Sequence, residues 1–161
     1  MKKIVSMMLA LVMMLALVAC GSKDEEPAEA PDLNAYYTEF EASLGADNTP
    51  ATMDLDAEMQ EAMYPGISEY TFKQSVFKAA MMAQVGYEFA LVECESAEDA
   101  EAVAELFEAR KTAQVEGGAF YPAVAESWEN GEVIVKGNVV ALIVGNTAQD
   151  DAVNAFNALF E

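Results

Sequence analysis

At 161 residues the chain has room for one domain, large enough to bury a core without disulfide staples. Its 28 acidic residues face only eight basic ones, which excludes a nucleic-acid partner, because binding phosphates depends on Lys and Arg. No histidine is present, so neutral-pH acid–base chemistry would have to rest on carboxylates or on a perturbed lysine.

The amino end is the most specific stretch. Lys2 and Lys3 precede a 16-residue run, Ile4 to Ala19, in which Ser6 is the one polar residue. That is short of the roughly 20 residues a membrane span needs. Charge, apolar stretch and small residues before a cut are the anatomy of a signal peptide, predicted here over residues 1–19. Leu17-Val18-Ala19-Cys20-Gly21 resembles the bacterial lipobox, in which the cysteine thiol is alkylated by a diacylglyceryl group before cleavage. Two acyl chains anchor stably, since each buried methylene contributes about 0.8 kcal/mol. The expectation is a lipoprotein held on the extracytoplasmic face of the cell membrane through Cys20. Without the leader's two lysines the net charge is −22, which an anionic surface would repel, so the lipid rather than electrostatics must hold it. Residues 20–32 carry two prolines, five acids and no large apolar residue after Cys20, and read as a disordered acidic tether. Residues 33–161 read as a single domain.

Within that domain, Leu33, Tyr36 or Tyr37, Phe40 and Leu44 share one helical face, with Gly45 as the stop. Residues 46–51 read as loop, and residues 54–63 as a short helix ended by Tyr64-Pro65-Gly66. A strand is predicted over residues 69–76, with Tyr70, Phe72 and Val76 on one side, and a second over residues 86–94, with Tyr87, Phe89 and Leu91 on the better apolar face. Ala79 to Ala83 is ambiguous between strand and loop. Ser96 caps a helix running to Gln114, Asp99 stands at the capping-box position, and Arg110-Lys111 suits the carboxyl end. A short helix from Tyr121-Pro122 reaches Trp128. Residues 132–136 and 139–144 form a hairpin across Gly137-Asn138. Thr147 to Asp150 opens a last helix with Val153, Phe156, Leu159 and Phe160 facing inward. The expected fold is α+β: a four-stranded antiparallel sheet with helices mainly on one face, ββαββα after an N-terminal helical segment. The ββα unit occurring twice suggests a pseudo-repeat.

The lipobox leader, the Gly86-Tyr87-Glu88-Phe89-Ala90-Leu91-Val92 strand, the helix from Glu101 to Lys111, Tyr121-Pro122 and the Val133-Ile134-Val135-Lys136-Gly137-Asn138 hairpin together resemble the family called domain of unknown function 4358, small lipoproteins of Gram-positive bacteria. The resemblance spans residues 64–160. It implies the location and the fold, and brings no activity with it.

No catalytic or metal constellation is legible. With Cys20 acylated, Cys94 stands alone at the end of an apolar strand pattern and reads as a core or edge residue. Zinc is unsupported by one free cysteine, and no acidic run has the spacing of a calcium loop; Asp54-Leu55-Asp56 lacks its glycine. Phosphate-loop glycines, a Gly-x-Ser-x-Gly elbow and Ser-x-x-Lys are all missing. No cofactor is expected. Tyr64, Tyr121 and Trp128 flank turns, where they either plug the core or line a recognition surface. The leading expectation is a non-catalytic binding module for a protein or other envelope component; the alternative is a carboxylate-dependent envelope enzyme or accessory subunit.

Overall fold

The structure, a computed structural model, describes residues 30–161. The predicted leader, Cys20 and the tether as far as residue 29 lie outside the described residues. Asp32 caps helix α1 (Leu33–Leu44) by accepting from the Ala35 amide at 2.9 Å, and Gly45, at φ 73°, stops it. Both Tyr36 and Tyr37 are buried along with Leu33 and Phe40. A three-residue strand follows, β1 (Thr52–Asp54), and then helix α2 (Ala57–Met63), capped by Asp56. Strand β2 (Phe72–Ala80) turns through Met81 to Ala83 into β3 (Glu88–Cys94).

Helix α3 (Ala97–Ala113) starts at Ser96, whose hydroxyl accepts from the Asp99 amide at 3.1 Å and lies 2.9 Å from the Asp99 carboxylate. Past Ala113 it widens into a π-type turn, Gln114–Gly118, which ends at the glycine pair. Helix α4 (Pro122–Asn130), with proline in its first turn, leads into β4 (Glu132–Lys136) and β5 (Val139–Val144), joined at Gly137 with φ 63°. Helix α5 (Gln149–Ala158) closes the chain. Thr147 does not cap α5: it lies in a short 3-10 turn, Asn146–Ala148, after which the helix starts at Gln149 with no side-chain cap, and Leu159 is exposed rather than inward-facing.

The fold is α+β, with one antiparallel sheet of five strands in the order β1-β2-β3-β5-β4 rather than four. The extra strand is β1, which pairs Met53 opposite Ala79 at the sheet edge; three half-buried or exposed residues leave no alternation to read. Helices cover both faces, not mainly one. The period-2 alternation of β3 divides the core: Ala90, Val92 and Cys94 lie under α3, α4 and the segment from Leu55 to Ile67, while Phe89 and Leu91 lie under α1 and α5. The two ββα units therefore send their helices, α3 and α5, to opposite faces. The expected alternation of β2 also fails: the register shifts between Phe72 and Gln74, so Phe72 packs with Phe77 on one face and Val76 turns to the other. β5 is buried along its whole length, as a central covered strand must be. Among the described residues, no helix is long and apolar enough to cross a membrane.

Candidate functional site

Residues 88, 90, 92 and 94 share a face of β3, and position 88 should by its neighbours be apolar. It is a glutamate, and it is buried. A buried carboxylate is costly unless paired and hydrogen-bonded. Glu88 has both: Arg110 of α3 donates from Nε to Oε1 at 3.0 Å and from Nη2 to Oε2 at 2.8 Å, and the Tyr64 hydroxyl donates to Oε1 at 2.6 Å. The Arg110 guanidinium also lies over the Trp128 ring, 5.1 Å from its centroid. Burial opposes the charge on Arg110, but the hydrogen bonds and charge of Glu88 outweigh it and hold its pKa above the ordinary arginine value. Burial, reinforced by the negative charge of Glu88, raises the Tyr64 phenol well above its usual range, so it stays a donor.

This polar knot forms part of the wall of an opening of about 320 Å³, bounded by α2, the end of β2 with its turn, and the π-type turn after α3. The opening exists because the sequence supplies small residues there: Ala79, Ala80, Ala83 and Ala119 contribute little bulk. Methionines supply the rest. Met53, Met59, Met63 and Met82 all line it, from three separate segments. Gln114 and Gly118 border it from a helical turn of the wide type that recurs at functional sites. Around the mouth the chain leaves large apolar groups in water: Phe120 is 89% exposed, Met81 64% and Met82 54%. Phe120 and Tyr121 meet edge to face, 5.4 Å between centroids.

The three aromatics weighed as core plugs or a recognition surface are placed differently from one another. Tyr64 and Trp128 are buried, the first holding Glu88 and the second beneath Arg110, while Tyr121 is half-exposed beside Phe120 near the opening. Sequence reasoning missed Glu88 and the methionines, and took Arg110 for a cation matching the helix dipole. The available signal was an acid on the wrong side of a strand otherwise apolar on that side.

Glu88 is occupied by three donor bonds and offers no free base. Cys94 is fully buried, and burial, with Asp99 and Glu93 adding to it, pushes its thiol up to about 11, the opposite of an activated nucleophile. Among the described residues no three His, Cys, Asp or Glu side chains converge as metal ligands. Thioethers suit soft ions such as Cu(I), but an open space of 320 Å³ is far larger than a coordination cage.

The family model described as domain of unknown function (DUF4358) matches residues 45–145, which includes β1 through β5 and every residue of the Glu88 knot. No curated protein and no solved structure matches the chain.

Proposed function

The chain belongs to the DUF4358 family, and from that starting point we propose that it is a membrane-anchored extracytoplasmic lipoprotein whose domain binds a partner without catalysing a reaction. Cys20 carries the diacylglyceryl anchor, the tether of residues 20–32 spaces the domain from the bilayer, and the methionine-lined opening is where the partner binds. The observation that carries the binding role is the opening itself: apolar walls, a few fixed polar groups and an exposed apolar rim on an otherwise acidic domain. The anchor rests on Leu17-Val18-Ala19-Cys20 and the charged, apolar leader before it.

Two measurements test the two halves. Growth with a clickable fatty acid should label the wild-type chain and leave Cys20→Ala unlabelled and out of the membrane fraction; equal labelling of both overturns the anchor. A photo-crosslinking amino acid at position 82 should capture a discrete species in cells, while the same probe at Val135, exposed on the β4 edge, should not. Capture from neither position, or equally from both, overturns the binding site.

A further inference from the structure

The chain has ten methionines; five lie in the first 14 residues, and the other five are Met53, Met59, Met63, Met81 and Met82. Four of those five line the opening beside Glu88 and Arg110, and Met81 is the chain neighbour of Met82. The remaining domain, from residue 83 to the end, contains none. Exposed apolar bulk is gathered in the same place. Of eight large hydrophobic residues left exposed among the described residues, Met59 and Met82 line the opening, and Met81, Val115, Phe120 and Tyr121 lie within two residues of ones that do. Unbranched, polarizable thioethers mould themselves around apolar shapes, which is why methionine-rich surfaces accept helical segments of varied sequence.

Charge selects among the possible occupants. The described residues carry five cations, and three are already in ion pairs: Lys73 with Glu93, Lys78 with Asp54, and Arg110 with Glu88. Beside the opening, Glu58 adjoins Met59 and Glu116 sits in the π-type turn; both are exposed, and neither makes an ion pair among the described residues. A second copy without the leader would bring another −22 and be repelled, and so would an anionic lipid surface. A cationic partner is drawn in.

Resting on the binding-site reading above, we infer that the opening and its rim receive a cationic amphipathic segment of a partner protein. An apolar anchor side chain enters the methionine-lined space, and the partner's basic residues meet Glu58 and Glu116.

Trp128, the single tryptophan of the chain, lines the opening and so reports on its occupation. The full chain in phosphatidylcholine vesicles is titrated with four tryptophan-free 18-residue peptides, with empty vesicles as blank: an amphipathic Leu/Lys helix, the same pattern with Gln for Lys, the same with Glu for Lys, and a scrambled Leu/Lys sequence. The expected result is saturable one-to-one binding of the Leu/Lys helix with a change in Trp128 emission. The Gln and scrambled peptides should bind at least tenfold more weakly and the Glu peptide not at all. Met59→Asp with Met82→Asp alters two exposed side chains, and circular dichroism should match wild type. It adds negative charge, yet it should weaken the Leu/Lys peptide at least tenfold. Equal binding of the scrambled peptide, or undiminished binding by the double variant, overturns the proposal. Equal binding of the Gln peptide overturns the cationic class while the binding site stands, and a silent Trp128 with all four peptides overturns both. Concentration-dependent dimerisation in sedimentation that the double variant abolishes would assign the surface to a second copy instead.

Discussion

The two faces of the sheet are built from alternate residues of the same strands, yet they solve different problems. Under α1 and α5 the packing is aromatic and closed over the strands, with a groove of about 330 Å³ left between the two helices: Phe89 meets Tyr37, Phe40 and Tyr87 with ring centroids 5.3, 5.6 and 5.0 Å apart, and Tyr36 meets Phe156 edge-on at 5.4 Å. Under α2, α3 and α4 the same strands bury Val92, Leu142 and Phe77 against Tyr64 and Phe107, but this face also holds a buried ion pair and stays open at one end, beside four methionines. Both faces are packed, but only the second carries a buried ion pair beside an opening onto the strands. The proposed binding site lies on the open face.

The sharpest way to break the comparison is to open the closed face. Phe89→Ala removes a fully buried ring from the middle of the aromatic cluster, and large-to-small changes of this kind cost about 3–5 kcal/mol. Urea unfolding should show a midpoint so low that part of the population is unfolded without denaturant. Met63→Leu on the open face conserves volume and should cost less than about 1.5 kcal/mol. Equal losses at the two sites would mean that the faces are not packed differently.

Next in size is the ion pair. Arg110→Met strands the Glu88 carboxylate with Tyr64 as its one remaining donor, and breaking a buried pair from one side costs about 3 kcal/mol or more. Adding Glu88→Leu should recover part of that loss, because the uncompensated charge is gone. It should not recover all, since the Tyr64 hydroxyl then loses its acceptor. A double variant no more stable than Arg110→Met would show that the pair acts through packing rather than charge.

How much of this was legible in the chain follows the same division. The closed face was readable: Leu33, Tyr36, Phe40, Phe156 and the Phe89-Leu91 alternation announce themselves by helical or strand period, and Gly137-Asn138 announces its hairpin. The open face was not. β1 is three residues long and gains its identity from pairing with β2, a non-local fact. The bulge between Phe72 and Gln74 reverses an alternation that looked regular. Glu88 and Arg110 lie 22 residues apart, and each has a sufficient local explanation, as a polar strand residue and as a cation at a helix end. Tyr64 and Trp128 were noticed as aromatics at turns, but only the fold reveals that one holds the Glu88 carboxylate and the other its Arg110 partner.

A smaller effect distinguishes the two acids of β3. Glu93 faces the closed side and accepts from Gln74 at 2.9 Å and Asn138 at 3.2 Å, with Lys73 3.5 Å away. Partial burial opposes its charge, but these partners prevail and its pKa falls below the ordinary 4.5. A depressed carboxylate stabilises the fold above the unfolded-state value, and that contribution fades as pH drops through the lower folded value. The urea midpoint should therefore decline below pH 4.5, and Glu93→Gln should flatten that part of the profile. An unchanged slope would remove Glu93 from the acid response.

The finest test lies at the seam between the faces. Tyr87 packs in the aromatic cluster, yet it also lines the methionine-walled opening, and its buried hydroxyl has no hydrogen-bond partner. Burial, with the neighbouring Tyr37 and Glu41 adding to it, raises its phenol far above the ordinary value, so the group stays neutral. An orphaned buried hydroxyl costs about 1–3 kcal/mol, and Tyr87→Phe keeps the ring while deleting that liability. The substitution should leave stability unchanged or raise it by about 1 kcal/mol, read as a rise in Tm. A loss of stability would mean that the hydroxyl is satisfied in solution by water entering from the open side. The aromatic face would then be wet at that corner, and its contrast with the open face would end at Tyr87.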